Sequence, residues 1–218
     1  MKKNTVIFDL DGTLLDTLQD LADATNYALR KQGMPERTID EVRQFVGNGV
    51  RLLMIRAIPG GEENPLFEET FALFKSYYGE HCNDHTRPYE GIMELLATLR
   101  EKGYAVAIVS NKIDFAVKEL SKLYFQGIVP VAIGEKEGIR RKPAPDTVFE
   151  ALKELGRTKE EAVYVGDSDV DIETAQNAGM PCISVLWGFR DQAFLEAHGA
   201  SHYAEKAEEI LKYVEEFN

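Results

Sequence analysis

FDLDGTLLDT, from Phe8 to Thr17, decides how the rest of the chain is read. Val6, Ile7 and Phe8 form a short apolar run that reads as the end of a buried strand. Asp9 and Asp11 leave that strand one residue apart, and Gly12-Thr13 turns the chain at once. Two carboxylates this close repel each other, so an apolar strand end holds them only with a cation or a shared proton. Two plainer readings compete. Asp and Gly are ordinary turn residues. The string also matches the start of an EF-hand loop, which needs a Glu at its twelfth position and helices on both sides. Counted from Asp9 that position is Asp20, and a strand precedes.

Working outward, strand-like runs alternate with helical patterns from residue 86 onward. The runs are Tyr104–Ser110, Ile128–Ile133, Ala162–Gly166 and Pro181–Leu186; the helical stretches are Gly91–Lys102, Asp114–Leu123, Asp146–Leu155 and Asp169–Ala178. Gly103, Gly156 and Gly179 stand where helices stop. Thr158 and Glu161 form a capping-box pattern. Short β-branched runs alternating with helices predict an α/β fold, a parallel sheet with helices on both faces. Residues 17–85 differ. Leu18, Leu21, Ala22, Thr25, Ala28 and Leu29 share one helical stripe, and Phe67, Phe71, Phe74, Tyr77 and Tyr78 another, which reads as core. Pro59-Gly60-Gly61 breaks this region in two. The expected division is therefore 1–16 with 86–218 as one domain and 17–85 as an all-helical insert.

The chain has 218 residues, 44% hydrophobic and 28% charged, with a formal net charge of −12. That balance predicts a soluble globular protein and argues against nucleic acid, which demands a basic face. No apolar run is long enough to span a bilayer, and the N-terminal one is too short for a signal peptide. Cys82 and Cys182 read as free thiols of a reducing cytoplasm, and four scattered histidines do not resemble a zinc set. No heptad run announces an oligomer, so monomer and homodimer both stand. An anionic ligand in so acidic a protein requires a locally positive site.

Ligands of open α/β sheets bind beyond the carboxyl ends of the strands. The first strand delivers Asp9 and Asp11 there. The second delivers Ser110, Asn111 and Lys112. After the third comes GIRRKPAPD, with Lys142 next to Pro143, and the fourth delivers GDSDVD, residues 166–171. Four separated segments meeting at one edge are far more specific than any one of them.

This set, in this order, resembles the haloacid dehalogenase-like superfamily over the whole chain. The resemblance implies a Rossmann-like core carrying a mobile helical cap, and a magnesium-dependent phosphatase. It implies that Asp9 attacks phosphorus and forms an aspartyl-phosphate. Asp11 then gives a proton to the departing alkoxide and later takes one from water. It implies Mg²⁺ held by the Asp9 side chain, the Asp11 carbonyl and Asp167. Ser110 and the Asn111 N–H would meet phosphoryl oxygens, and Lys142 would supply positive charge. Asp171 is expected either to orient Lys142 or a metal-bound water, or to stabilise a helix start. Asp169 is expected at the helix start, and Asp16 and Thr17 are expected to cap and position the hinge.

The string VGNGVRLLMIRAI, residues 46–58, is similar to the cap of phosphoglycolate phosphatases. This implies a small phosphorylated metabolite as partner, 2-phosphoglycolate foremost. Arg51 is a candidate for its carboxylate, with a solvent-facing helix residue as the alternative, and Lys112 is a candidate for another substrate oxygen. A sugar phosphomutase of the β-phosphoglucomutase type, a pyrophosphatase or a nucleotidase would share the core. A haloacid dehalogenase would not need Asp11 or the metal. A catalytically idle binding module would be expected to have lost one of these residues.

Overall fold

The computed structural model describes residues 2–218. They form two compact units. One runs to Leu15 and resumes over Pro88–Asn218, and the other is Asp16–Arg87.

The first unit is built on a six-stranded sheet. Its strands are β1 (Thr5–Phe8), β4 (Ala105–Ile113), β5 (Val131–Glu135), β6 (Ala162–Gly166), β7 (Cys182–Val185) and β8 (Tyr203–Ala204), while β2 (Leu15–Asp16) and β3 (Arg87–Pro88) form a separate two-stranded pair. The order is β5-β4-β1-β6-β7-β8, and neighbouring strands run parallel. The chain fills one side of β1 and then crosses to the other. The carboxyl end of β1 is thus the point where strand order reverses, the usual crevice of such sheets.

Side-chain alternation explains why both faces are covered. Val6 and Phe8 join one core with Ile92, Leu96 and Leu99 of α5 (Ile92–Glu101), Val117 and Leu120 of α6 (Asp114–Phe125), and Ile210 and Val214 of α10 (Ala207–Glu216). Ile7 points the other way. It joins Val148, Ala151 and Leu152 of α7 (Asp146–Leu155), and Ala175 and Ala178 of α8 (Asp169–Ala178). A sheet buried on both faces needs the near-continuous apolar strands seen in the sequence. One remaining helix, α9 (Gln192–Ala197), lies before β8.

Two strand expectations shift for identifiable reasons. The run expected at Ile128–Ile133 begins pairing only at Val131. Gly127, at φ 77°, ends the preceding helix, and Pro130 has no N–H for the ladder. The run expected to end at Ser110 continues to Ile113, with a register irregularity between Val109 and Ile113. Such irregularities re-aim side chains, and this one carries Ser110, Asn111 and Lys112.

The second unit holds α1 (Leu18–Lys31), α2 (Ile39–Phe45), α3 (Val50–Ala57) and α4 (Phe67–His81), with a 3₁₀ turn at Gly61–Glu63. Leu18, Leu21, Ala22, Thr25, Ala28 and Leu29 of α1 are all buried. On α4 Phe67, Phe71, Phe74 and Tyr78 are buried with successive ring centroids 5.4–6.5 Å apart. Tyr77 sits at the edge of that stripe and stacks on Tyr27 at 4.1 Å. Gly47 and Gly49, at φ 115° and 84°, separate α2 from α3. Arg56 closes that loop by donating to the Phe45 carbonyl at 2.6 Å and Asn48 Oδ1 at 3.0 Å.

The EF-hand alternative fails on Asp20. Its carboxylate accepts the His85 and Thr86 N–H groups, each at 2.9 Å, and the Thr86 hydroxyl at 2.7 Å. It is a buried tether within the helical unit, not a ligand of a loop opened by Asp9. Thr17 occupies the position before α1, yet its side chain makes no capping hydrogen bond and its buried Oγ1 has no partner. The expected cap role of that hydroxyl is therefore corrected. Asp16 Oδ2 lies 4.0 Å from the Arg87 guanidinium.

Candidate active site

Parallel register places the first acid. Phe8 stands opposite Ile108 on one side and Val165 on the other. The Asp9 N–H still donates to the Val165 carbonyl at 2.9 Å, so Asp9 leaves the sheet beside Gly166-Asp167. Asp9 and Asp167 are both buried, and oxygens of Asp9, Asp167 and Asp171 lie within 4.8 Å of one another.

One ammonium faces these three acids. Lys142 Nζ lies 2.8 Å from Asp9 Oδ1, 2.8 Å from Asp171 Oδ1 and 3.0 Å from the Tyr164 hydroxyl. The ammonium donates to Asp171 Oδ1 and to the Tyr164 hydroxyl, and it is ion-paired with Asp9 Oδ1. Burial opposes the charge on Lys142, but Asp171 and Asp9 outweigh it and raise its pKa. Lys142 alone does not offset three buried carboxylates. Burial and Asp171 hold the Asp9 pKa well above the usual carboxylate range, against the pull of Lys142. Burial and Asp171 also lift Asp167 to about 7, against the Phe189 N–H, Arg190 and Lys142.

Asp171 has no oxygen to spare for a metal. Oδ1 accepts from Lys142 and from the Tyr164 hydroxyl at 3.0 Å. Oδ2 accepts the Asp167 and Ser168 N–H groups at 3.2 and 3.1 Å and the Ser168 hydroxyl at 2.6 Å. It anchors Lys142 and caps α8 at once, so the two roles weighed from the sequence coexist.

Asp167 is different. Oδ2 accepts the Phe189 N–H at 2.7 Å, and the Thr13 hydroxyl lies 3.4 Å from Oδ1. Glycines on two sides permit its approach. A Cβ on Gly12 would lie 2.4 Å from Asp167 Oδ2, and one on Gly188 would lie 2.3 Å from Asp167 Cβ. The Asp9–Asp167 pair is all-oxygen, buried and short of positive charge, which suits a hard divalent cation.

On the β4 side, the Lys112 N–H donates to Ser110 Oγ at 3.2 Å. Asn111 Nδ2 donates to the Lys142 carbonyl at 3.0 Å, which ties the second segment to the third. Lys112, a candidate for a substrate oxygen, places its Nζ 2.7 Å from Asp11 Oδ1. Arg51, in the helical unit, is held by Glu62 and by Glu68, the latter at 2.7 Å, and lies over the Phe67 ring at 4.9 Å. Asp169 opens α8, as expected, with Arg190 at 4.0 Å.

Tyr164, Thr13 and the Trp187-Gly188-Phe189 segment were not foreseen. Tyr164 was legible as a phenol in an otherwise aliphatic buried strand, since such a hydroxyl needs a partner. Trp187 Nε1 donates to the Thr13 carbonyl at 3.0 Å and steadies the turn after Asp11. Only the fold brings residues 13 and 187 together.

Residues 6–185 match the haloacid dehalogenase-like hydrolase family. The chain belongs to it. Among curated members of this family's kin, a phosphoglycolate phosphatase of Aquifex aeolicus is 35% identical over 185 residues, 84% of this chain and 85% of that protein. Another of Rhodobacter capsulatus is 37% identical over 192 residues, 85% of each. A crystal structure from Lactobacillus delbrueckii subsp. bulgaricus superposes with a TM-score of 0.94 at 39% identity, over 98% of this chain and 99% of that one. Among the described residues, no helix of this haloacid dehalogenase-like hydrolase is long and apolar enough to cross a membrane.

Proposed function

We propose that this chain is a Mg²⁺-dependent phosphoric monoester hydrolase, that it works through an aspartyl-phosphate on Asp9, and that 2-phosphoglycolate is its substrate. The observation that carries the reading is the buried Asp9–Lys142–Asp171 cluster with Asp167 beside it. The substrate rests on the relatives at 35% and 37% identity, both phosphoglycolate phosphatases.

An Asp9 carboxylate oxygen attacks phosphorus and the ester oxygen departs with a proton from Asp11. Asp11 then removes a proton from water as the water oxygen attacks phosphorus, and Asp9 is regenerated. Ser110 Oγ already accepts the Lys112 N–H, so its own proton is directed elsewhere and suits a phosphoryl oxygen. Lys142 stays charged against Asp9 throughout and balances the anion as it moves from carboxylate to phosphoryl oxygens. Asp171 and Tyr164 keep that ammonium aimed. Asp9, Asp167 and the Asp11 carbonyl would hold the Mg²⁺, which when bound screens nucleophile from phosphate and polarises the phosphoryl oxygens. Arg51 is dropped as the carboxylate ligand, because Glu62 and Glu68 already hold its guanidinium.

The test is Mg²⁺-dependent phosphate release across phosphoglycolate, pyrophosphate, nucleotides and sugar phosphates, ranked by kcat/KM. Phosphoglycolate should rank first, and Asp9→Asn should abolish turnover. Turnover surviving in that variant would remove Asp9 as the nucleophile.

A further inference from the structure

We infer that Lys112 is the positioning residue of the acid Asp11 and makes no contact of its own with substrate; the inference rests on the reading of Asp11 just given. The side chain of Lys112 is only 3% exposed, and Asp11, at 19%, is the carboxylate that meets its ammonium at 2.7 Å. A buried ammonium requires such a partner, and a charge-assisted bond of this length fixes direction as well as distance. The bond is made to one named oxygen, Oδ1. With Oδ1 held by Lys112, Oδ2 is the oxygen that the pair turns toward the leaving group.

The backbone supports this geometry. Lys112 lies in the irregular stretch of β4 between Val109 and Ile113. Its N–H is fixed on Ser110 Oγ, and the side chain of its neighbour Asn111 is fixed on the Lys142 carbonyl. The stem of Lys112 therefore starts from a backbone held at its own N–H and at the preceding residue. Asp11, by contrast, sits in the turn after β1, where Gly12 adopts φ 83°. A lysine from a held strand orients an acid on a turn.

Leaving-group dependence separates this role from two others. Protonation matters most when the departing oxygen is strongly basic, as in an alkyl phosphate, and little for 4-nitrophenyl phosphate. A lysine that bound the phosphoryl group would affect all esters alike. So would a structural defect, because a smaller folded fraction scales every substrate equally and leaves the slope unchanged.

The experiment measures kcat/KM against leaving-group basicity for alkyl and substituted phenyl phosphates, in wild type, Lys112→Met, Lys112→Arg and Asp11→Asn. Lys112→Met should lose about 100-fold on alkyl phosphates and under about 5-fold on 4-nitrophenyl phosphate, steepening the slope as Asp11→Asn does. Lys112→Arg should recover part of the shallow wild-type slope. A uniform loss in Lys112→Met beside a steepened Asp11→Asn would overturn the role of Lys112 and leave that of Asp11 intact. An unchanged slope in Asp11→Asn would overturn Asp11 as the acid and this inference with it.

Discussion

Asp167 shows at the scale of one residue how burial shifts a carboxylate. Burial and Asp171 lift its pKa to about 7, whereas an unfolded Asp titrates near about 3.9. Between about pH 4 and about pH 7 the folded, metal-free protein keeps a proton that the unfolded chain has released. Raising pH through that window therefore lowers the stability of the metal-free protein. We expect its Tm to fall between about pH 5.5 and about pH 8, and saturating Mg²⁺ to offset the fall, because the ion binds the folded, ionised form. Asp167→Asn should shrink the pH slope, leaving the part that Asp9 contributes, and should remove the stabilisation by Mg²⁺. Thermal melts with and without chelator check this; a metal-free Tm that rises over the interval would contradict it. Lys142 and Asp171 complete the same network, but removing either leaves a buried charge uncompensated, so Asp167 is the cleaner probe.

Elements are joined here by side chains that satisfy backbone groups. Asp171 caps α8 and holds Lys142, so one carboxylate fixes a helix start and a buried ammonium together. Asp20 does comparable work inside the helical unit, where it binds the backbone of residues 85 and 86 from the first turn of α1. Asp20→Ala would take this acceptor from the His85 and Thr86 N–H groups, while the Thr86 hydroxyl keeps the Cys82 carbonyl at 3.1 Å. We expect the helical unit to lose about 2–4 kcal/mol. Amide exchange at His85 and Thr86 should accelerate while β1, β4 and β6 stay protected. Unchanged protection at those two amides would show that Asp20 is dispensable. The capping pattern at Thr158 and Glu161 was legible because it depends only on local spacing, and the Thr158 N–H does donate to Glu161 at 2.9 Å. The same kind of reading failed at Thr17, whose hydroxyl is buried without a partner.

For the whole molecule, net charge and site charge pull in opposite directions. The chain carries −12, yet its substrate is proposed to be a dianion or more. Long-range repulsion between exposed charges is screened by salt, while contacts inside the buried cluster are not. We expect kcat/KM to hold or rise as ionic strength increases from about 10 mM to about 150 mM at saturating Mg²⁺. A steep fall would mean that an exposed positive field, which neither the charge balance nor the buried lysines suggest, steers the substrate. The alternation of strands and helices, the four polar strand ends and the stripes of α1 and α4 were all legible from the sequence. Each is a matter of local spacing and side-chain polarity, and the chain alone determined them. Tertiary structure decided the partners. It set Lys112 on Asp11 across 101 positions, Trp187 on Thr13 across 174, and Tyr164 on Lys142 across 22. It also turned Arg51 toward Glu62 and Glu68. A sequence lists which charges are available, but only packing brings particular ones within about 3 Å, the range in which a charge-assisted bond forms.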